Sequence, residues 1–314
     1  MSKIVFIFVF TFIFLQLSFA NGLDTTKIQV NSEGYLLDGI LLKNSKGDEK
    51  IPVVIFLVGS GANSSHETSY KDFIKFYFEE TFLMNDYALV YFDKRGVGKS
   101  EGLWYNTTFE QRALDAKNVA LAIQKFEFVD HENIYVIGHS QGGWIVQVAL
   151  AKYPEIFAGG ISMAGPSFGV KKQLINDYQS KFICEKGLDE NTALRKASRR
   201  VNRELFFISL FGIKGNLKQL KVIKNFEAEP YLKQIKKPFL MLFAENDALV
   251  NLKWSMDALG KMFPGGLPSH IQVYEAKGQT HSFKTASKCF DAKEKSTYAE
   301  TTRQFLFDWV HSKN

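Results

Sequence analysis

The sequence predicts an α/β protein: a mostly parallel central sheet flanked by helices, with a helical cap inserted late in the chain. Short apolar runs at 53–58, 88–92, 134–137, 159–163 and 239–243 read as buried strands. The third of these runs straight into Gly138-His139-Ser140-Gln141-Gly142, which reads as a strand, a tight turn and a helix start. After Gly165-Pro166 the period changes, and residues up to about Pro230 read as several helices. The resulting plan is a leader (1–20), a first core segment (21–165), the cap (166–230) and a second core segment (231–314).

In chain order, Lys27 to Leu42 reads as an edge hairpin turning at Asn31-Ser32-Glu33-Gly34, and Lys46-Gly47-Asp48 marks the next turn. Val53 to Val58 is the first central strand and Ala88 to Phe92 the second. Phe109 to Phe126 has the spacing of an amphipathic helix, with Thr107 or Thr108 as its cap. The helix opening at Gln141 is rich in small residues (Gly142, Gly143, Ala149, Ala151), which allow close packing on the sheet. Gly159 to Met163 is a short strand, Phe239 to Phe243 follows Pro238, and His270 to Tyr274 is the last strand expected. Repeats and low-complexity tracts are absent from the sequence.

The strand, turn and helix around Ser140 carry the chemistry. Two glycines spaced four apart let the backbone turn sharply, lift the hydroxyl clear and point helix-start amides at the space above it. A nucleophilic serine needs a base, and the base needs an orienting carboxylate. Asp247 follows the strand 239–243, and His281 lies in the loop beyond 270–274, so Ser140, Asp247 and His281 occur in that order at strand C-terminal ends. Glu245 is the nearest competing carboxylate, and Asp247 could instead cap the Ala248-Leu249-Val250 segment. Among the six histidines, His139 lies inside the turn, His131 and His270 precede strands, and His311 falls in the last helix. His66 is the one rival base, because it follows the loop after the first central strand.

With Gly-His-Ser-Gln-Gly-Gly, Tyr91-Phe92-Asp93-Lys94-Arg95-Gly96-Val97-Gly98-Lys99-Ser100, the Glu-Asn-Asp segment and the Gly-Gln-Thr-His segment, the chain resembles the α/β-hydrolases. The resemblance is to the serine aminopeptidase, esterase and thioesterase-like branch and covers about Ile28 to Trp309. It implies Ser140 as nucleophile, His281 as general base and acid, and Asp247 as the residue holding the imidazole. The oxyanion donors it implies are the backbone amides of Gln141 and of Ser60, in the loop Gly59-Ser60-Gly61. The family usually has a histidine before that first glycine; here the position is Val58, so something else must brace the loop. The expected reaction is hydrolysis of a carboxylic ester, with amides and thioesters as alternatives, and a non-catalytic binding module as the reading from another class.

Other classes are argued against. Gly98-Lys99-Ser100 nearly completes a phosphate-binding loop, but the pattern demands glycine where Asp93 stands, and a carboxylate there would repel phosphate. No His-Glu-x-x-His, Cys-x-x-Cys or Gly-x-Gly-x-x-Gly occurs, so no metal or cofactor is expected. The formal charge is +6, and basic residues cluster at Arg195, Lys196, Arg199, Arg200 and Arg203 and recur at Lys214, Lys218, Lys221 and Lys224. Without interleaved aromatics they read as a solvated helix face rather than a nucleic-acid surface, with steering of anionic substrates as the sharper alternative. Phe182, Phe206, Phe207 and Phe211 are expected to pack the cap and line an acyl pocket.

Lys3 followed by an apolar stretch from Ile4 to Leu17 and then Ser18-Phe19-Ala20 reads as a secretory leader cut after Ala20, implying a secreted or periplasmic protein. An uncleaved anchor is the rival, though the stretch is short of the ~20 residues that span a bilayer. In such a compartment Cys184 and Cys289 form either one disulfide tying cap to core or two separate thiols. Asn63-Ser64-Ser65 and Asn106-Thr107-Thr108 fit glycosylation acceptors.

Overall fold

A computed structural model describes residues 23–44, 49–211, 214–289 and 294–314. The leader and the turn at Lys46-Gly47-Asp48 lie outside the described residues. The edge hairpin pairs β1 (Leu23–Ser32) with β2 (Tyr35–Asn44) in antiparallel register, and β3 (Ile51–Leu57) follows. A helical segment then runs from α1 (Lys71–Ile74) through a π-helical turn at Lys75–Glu79 to α2 (Glu80–Phe82), leading into β4 (Ala88–Phe92). Next come α3 (Phe109–Ile123), β5 (Val129–His139), α4 (Gln141–Lys152) and β6 (Gly159–Met163). The cap helices α5 (Val170–Lys186), α6 (Glu190–Phe211), α7 (Gly215–Ile223) and α8 (Glu229–Leu232) intervene before β7 (Phe239–Ala244). The chain closes with α9 (Leu252–Met262), β8 (Ile271–Ala276), a small ribbon of β9 (Lys284–Thr285) and β10 (Thr297–Tyr298), and α10 (Glu300–His311).

Eight strands form one sheet in the order β1-β2-β4-β3-β5-β6-β7-β8, parallel from β4 to β8. The reason lies in the strand period. Val53, Ile55 and Leu57 face one apolar layer, and Val54, Phe56 and Val58 face the other. α3 and α4 cover the first face through residues such as Val119, Ile123, Ile145 and Val148. The segment 71–82 and α10 cover the second through Phe73, Phe78, Phe82 and Leu306. Strands buried on both faces are apolar throughout, which is why each read as an unbroken run.

Boundaries shift where local chemistry decides. Thr108 caps α3 reciprocally: its hydroxyl accepts from the Gln111 amide at 3.1 Å, and the Thr108 amide donates to Gln111 Oε1 at 3.0 Å. α3 stops at Ile123, short of Phe126. β5 starts at Val129, so His131 lies inside the strand rather than before it, and β8 keeps Glu275 and Ala276 that were expected in the loop. The segment 93–100 is the structural turn expected. Buried Arg95 grips Asp115 of α3 at 2.6 Å and Glu33 of the hairpin turn at 2.9 Å.

One expectation fails. Phe182 is buried in a small cap core with Ala193 and Ala197, Phe206, Phe207 and Phe211 are 63%, 52% and 69% exposed, and none of the four lines an acyl pocket. The buried stripe of α6 runs through Ala193, Ala197, Val201 and Ile208. Phe206 and Phe207 fall off that stripe, and Phe211 is the last residue of the helix.

Of the two readings left open for the cysteines, the structure forms the bond: Cys184 of α5 is joined to Cys289, with Cα atoms 5.2 Å apart. The bond closes a loop of 105 residues, and constraints of this kind typically stabilise by about 2–4 kcal/mol. The double variant Cys184→Ser/Cys289→Ser is expected to lose that amount, read as a lower urea midpoint; an unchanged midpoint would show that the bond constrains nothing the native contacts do not.

Candidate active site

β5 ends at His139, and Ser140 adopts φ 57° and ψ −120° before α4 begins. This is a backbone region that a non-glycine residue occupies only when its surroundings hold it there. Here those surroundings are backbone: a Cβ at Gly138 would lie 2.3 Å from the Gly142 carbonyl oxygen, and one at Gly142 2.2 Å from that of Leu57. The Ser140 amide donates to the Met163 carbonyl at 2.8 Å, tying the turn to β6. As the first residue of α4, Gln141 has an amide with no partner inside the helix.

Asp247 and His281 meet. The His281 Nδ1–H donates to Asp247 Oδ2 at 2.8 Å. The other carboxylate oxygen accepts the amides of Leu249 at 2.7 Å and Val250 at 2.8 Å, so the residue also performs the capping role considered for it. Burial works against the charged imidazolium of His281. The charge and hydrogen bond of Asp247, with the charge of Asp177 added, outweigh that cost and hold the His281 pKa above its ordinary value. The two rivals are placed elsewhere: Glu245 accepts the Gly278 amide at 2.8 Å, and His66 donates from Nδ1 to Asp93 at 3.0 Å in a buried position.

Ser140 is brought close to this pair without being bonded to it. The His281 ring packs against the ring of His139, the residue just before Ser140, with centroids 4.8 Å apart. Among the described residues the Ser140 hydroxyl makes no hydrogen bond. Ser140 lines a cavity of about 410 Å³ with Gln141 and Ser60, while His281 lines a neighbouring one of about 390 Å³, and Leu249 borders both. Unliganded sites often hold such contacts open until substrate aligns them.

Sequence reading missed what holds these pieces. His139 Nε2–H donates to the His281 carbonyl at 2.8 Å. A carbonyl only accepts, so His139 Nδ1 of the neutral ring must accept, and it does so from the Tyr70 hydroxyl at 2.8 Å. Tyr70 in turn accepts the Gly59 amide at 3.0 Å. Burial, with repulsion from His281, pushes the His139 pKa down to about 3, so the ring stays neutral and this direction of donors is fixed.

The bracing absent at Val58 is supplied by two buried basic side chains. Lys94 Nζ donates to the Gly59 carbonyl at 2.7 Å, and Arg112 donates to the Val58 carbonyl at 2.8 Å and to Gln141 Oε1 at 2.7 Å. In a trans peptide the C=O and the following N–H point in opposite directions. Pinning the Gly59 carbonyl on Lys94 therefore turns the Ser60 N–H away from it, and among the described residues that N–H has no hydrogen-bond partner. Asp93 completes the support by accepting from Ser65 Oγ at 2.9 Å and from the His66 amide at 3.1 Å. Burial, together with Arg112, pushes the Lys94 pKa well down.

The cavity over Ser140 is roofed by the cap. α5 contributes Val170, Gln173, Leu174 and Asp177, and α7 contributes Asn216, Gln219, Leu220 and Ile223. Both sets follow the spacing of one helix face. Trp144 of α4 and Pro166 add apolar wall. The basic residues Lys196, Arg199, Arg200 and Arg203 border a separate groove beside Phe182. Among the described residues no cluster of side chains suits a metal ion.

Residues 61–203 match the protein family described as serine aminopeptidase, S33, a span that holds Ser140 and stops before Asp247 and His281. The fold is that of solved α/β hydrolases. An esterase of Pyrococcus furiosus is similar at 16% identity over 92% of this chain and 91% of that one, with TM-score 0.60. The α/β hydrolase GrgF from Penicillium sp. sh18 is similar at 15% identity over 92% and 99%, with TM-score 0.61. Est1E from Butyrivibrio proteoclasticus, solved with ferulic acid bound, is similar at 18% identity over 90% and 99%, with TM-score 0.57. The α/β-hydrolase resemblance read from the motifs thus holds, and the matches support a hydrolase.

Asp247→Asn is expected to drop the His281 pKa, because burial remains while the main attraction for the proton goes; an imidazole NMR titration that does not move would refute the coupling. Lys94→Met is expected to leave the Gly59 carbonyl buried without its donor, at a cost of about 1–3 kcal/mol in a urea melt; undiminished stability would remove Lys94 from the bracing role.

Proposed function

We propose that this α/β hydrolase is an extracytoplasmic serine hydrolase that cleaves carboxylic esters through an acyl-enzyme. One observation carries the reading: the Asp247–His281 hydrogen bond at 2.8 Å, with the imidazole packed on the residue next to a strained serine turn. His281 Nε2 takes the Ser140 proton as the hydroxyl attacks the ester carbonyl. The amides of Gln141 and Ser60 hold the oxyanion, and the protonated imidazole gives its proton to the departing alcohol. Water, deprotonated by the same histidine, then releases the acid.

The apolar part of the cavity wall, with Leu174, Leu220 and Ile223 in it, suits the acyl group of an ester. The disulfide between Cys184 and Cys289 favours an oxidising compartment, in keeping with the leader read at residues 1–20.

Fluorophosphonate labelling tests the nucleophile. The wild type is expected to label, Ser140→Ala not at all and His281→Ala barely, with ester turnover of Ser140→Ala reduced about ten-thousandfold or more. A folded wild type that stays unlabelled would favour the binding-module reading. The base works only as neutral imidazole, and its pKa is raised, so kcat/KM is expected to fall on acidification with a midpoint above 6.5, the ordinary histidine value. A rate flat across that range would remove His281 from the base role.

A further inference from the structure

Among the side chains lining the Ser140 cavity, one is charged: Asp177 of α5. It shares the cavity-facing stripe with Val170, Gln173 and Leu174, and the remaining side chains of the wall are apolar, amide or hydroxyl. Its Oδ1 accepts from Gln173 Nε2 at 2.7 Å, and among the described residues Oδ2 accepts no hydrogen bond. No lysine or arginine among the described residues pairs with it; the ionisable groups it feels are His281 and Asp247 of the pair below. Burial, aided by the charge of Asp247 and opposed by Gln173 and His281, pushes its carboxyl up to about 7. An ionised carboxylate in such a cavity is costly without a permanent counter-charge, and on the Ser140 side the positive group it feels is the titrating imidazole of His281.

We propose that the Ser140 cavity selects substrates carrying an ammonium group, primary or quaternary, with Asp177 as the counter-ion supplied by the cap. A cationic substrate relieves the unpaired charge, which a neutral one leaves in place and an anionic one worsens. Trp144, packed on Phe109 and Phe226, contributes apolar wall to the same cavity. The cavity, about 410 Å³, is large enough for an ester and a compact cationic head together. The basic side chains of α6 border another groove, so they do not cancel this preference. The inference rests on the ester-hydrolase reading for the position of the reacting carbonyl, and on Asp177 for the charge.

The test compares butyrylcholine with the isosteric neutral ester in which carbon replaces the nitrogen, at about pH 8.5, where the Asp177 carboxyl is ionised. In the wild type kcat/KM for the cationic ester is expected to exceed that for the neutral one by roughly tenfold or more. In Asp177→Asn that ratio is expected to collapse towards unity, and in Asp177→Glu to recover in part. A wild-type ratio near unity, or the same ratio in Asp177→Asn, overturns the proposal. Calorimetric titration of butyltrimethylammonium gives a second readout that needs no turnover: binding to the wild type, weakened several-fold in Asp177→Asn, supports it. Equal binding to both proteins, or none to the wild type, overturns it. If neither ester turns over and Ser140 takes no fluorophosphonate, the hydrolase reading fails, while the titration still decides the charge.

Discussion

The constraint on which the molecule depends is backbone contact at the turn carrying Ser140. Strands β3 and β5 and helix α4 approach one another there without side chains between them, because Gly138 and Gly142 leave room for carbonyl oxygens that any Cβ would strike. The serine is held at φ 57° by that convergence, not by a bond from its own side chain. The parallel sheet, the burial of α4 on it and the exposure of one hydroxyl are therefore parts of one packing solution. Larger residues at either glycine would separate the helix from the strands before they altered the serine itself.

Around this turn the polar groups form a single connected framework. The neutral His139 ring links the loop of Gly59, through Tyr70, to the carbonyl of His281. Lys94 and Arg112 hold the carbonyls of Gly59 and Val58 from beneath. Two basic side chains buried under a loop are costly alone, and carbonyl dipoles with the nearby carboxylates of Asp93 and Asp115 offset part of that cost. In effect the loop beside Ser140 is aimed by groups that never face the cavity.

Much of this was legible in the sequence, for physical reasons. Strands buried on both faces write themselves as apolar runs, so β4 and β6 fell where expected, and the threonines ahead of Phe109 marked the start of α3. Ser140, Asp247 and His281 stood out because a tight turn and the loops after strands leave punctuated sequence. Tyr70, Lys94, Arg112 and Asp177 carried no such mark. The contact of Lys94 with Gly59 spans 35 residues, and a lone basic or acidic side chain reads the same whether it ends in solvent or under a loop. Phe206, Phe207 and Phe211 misled for the opposite reason: hydrophobic type suggested burial, but the packing stripe of α6 is built from alanines and branched aliphatics at other positions.

The covalent bridge between Cys184 and Cys289 fastens the roof of the cavity to the segment that follows the histidine loop. It lies at the C-terminal end of α5, whereas α7, the other half of the roof, carries no such tether. The bond therefore keeps the α5 side of the roof, with Asp177 on it, beside the chain that leaves the histidine loop.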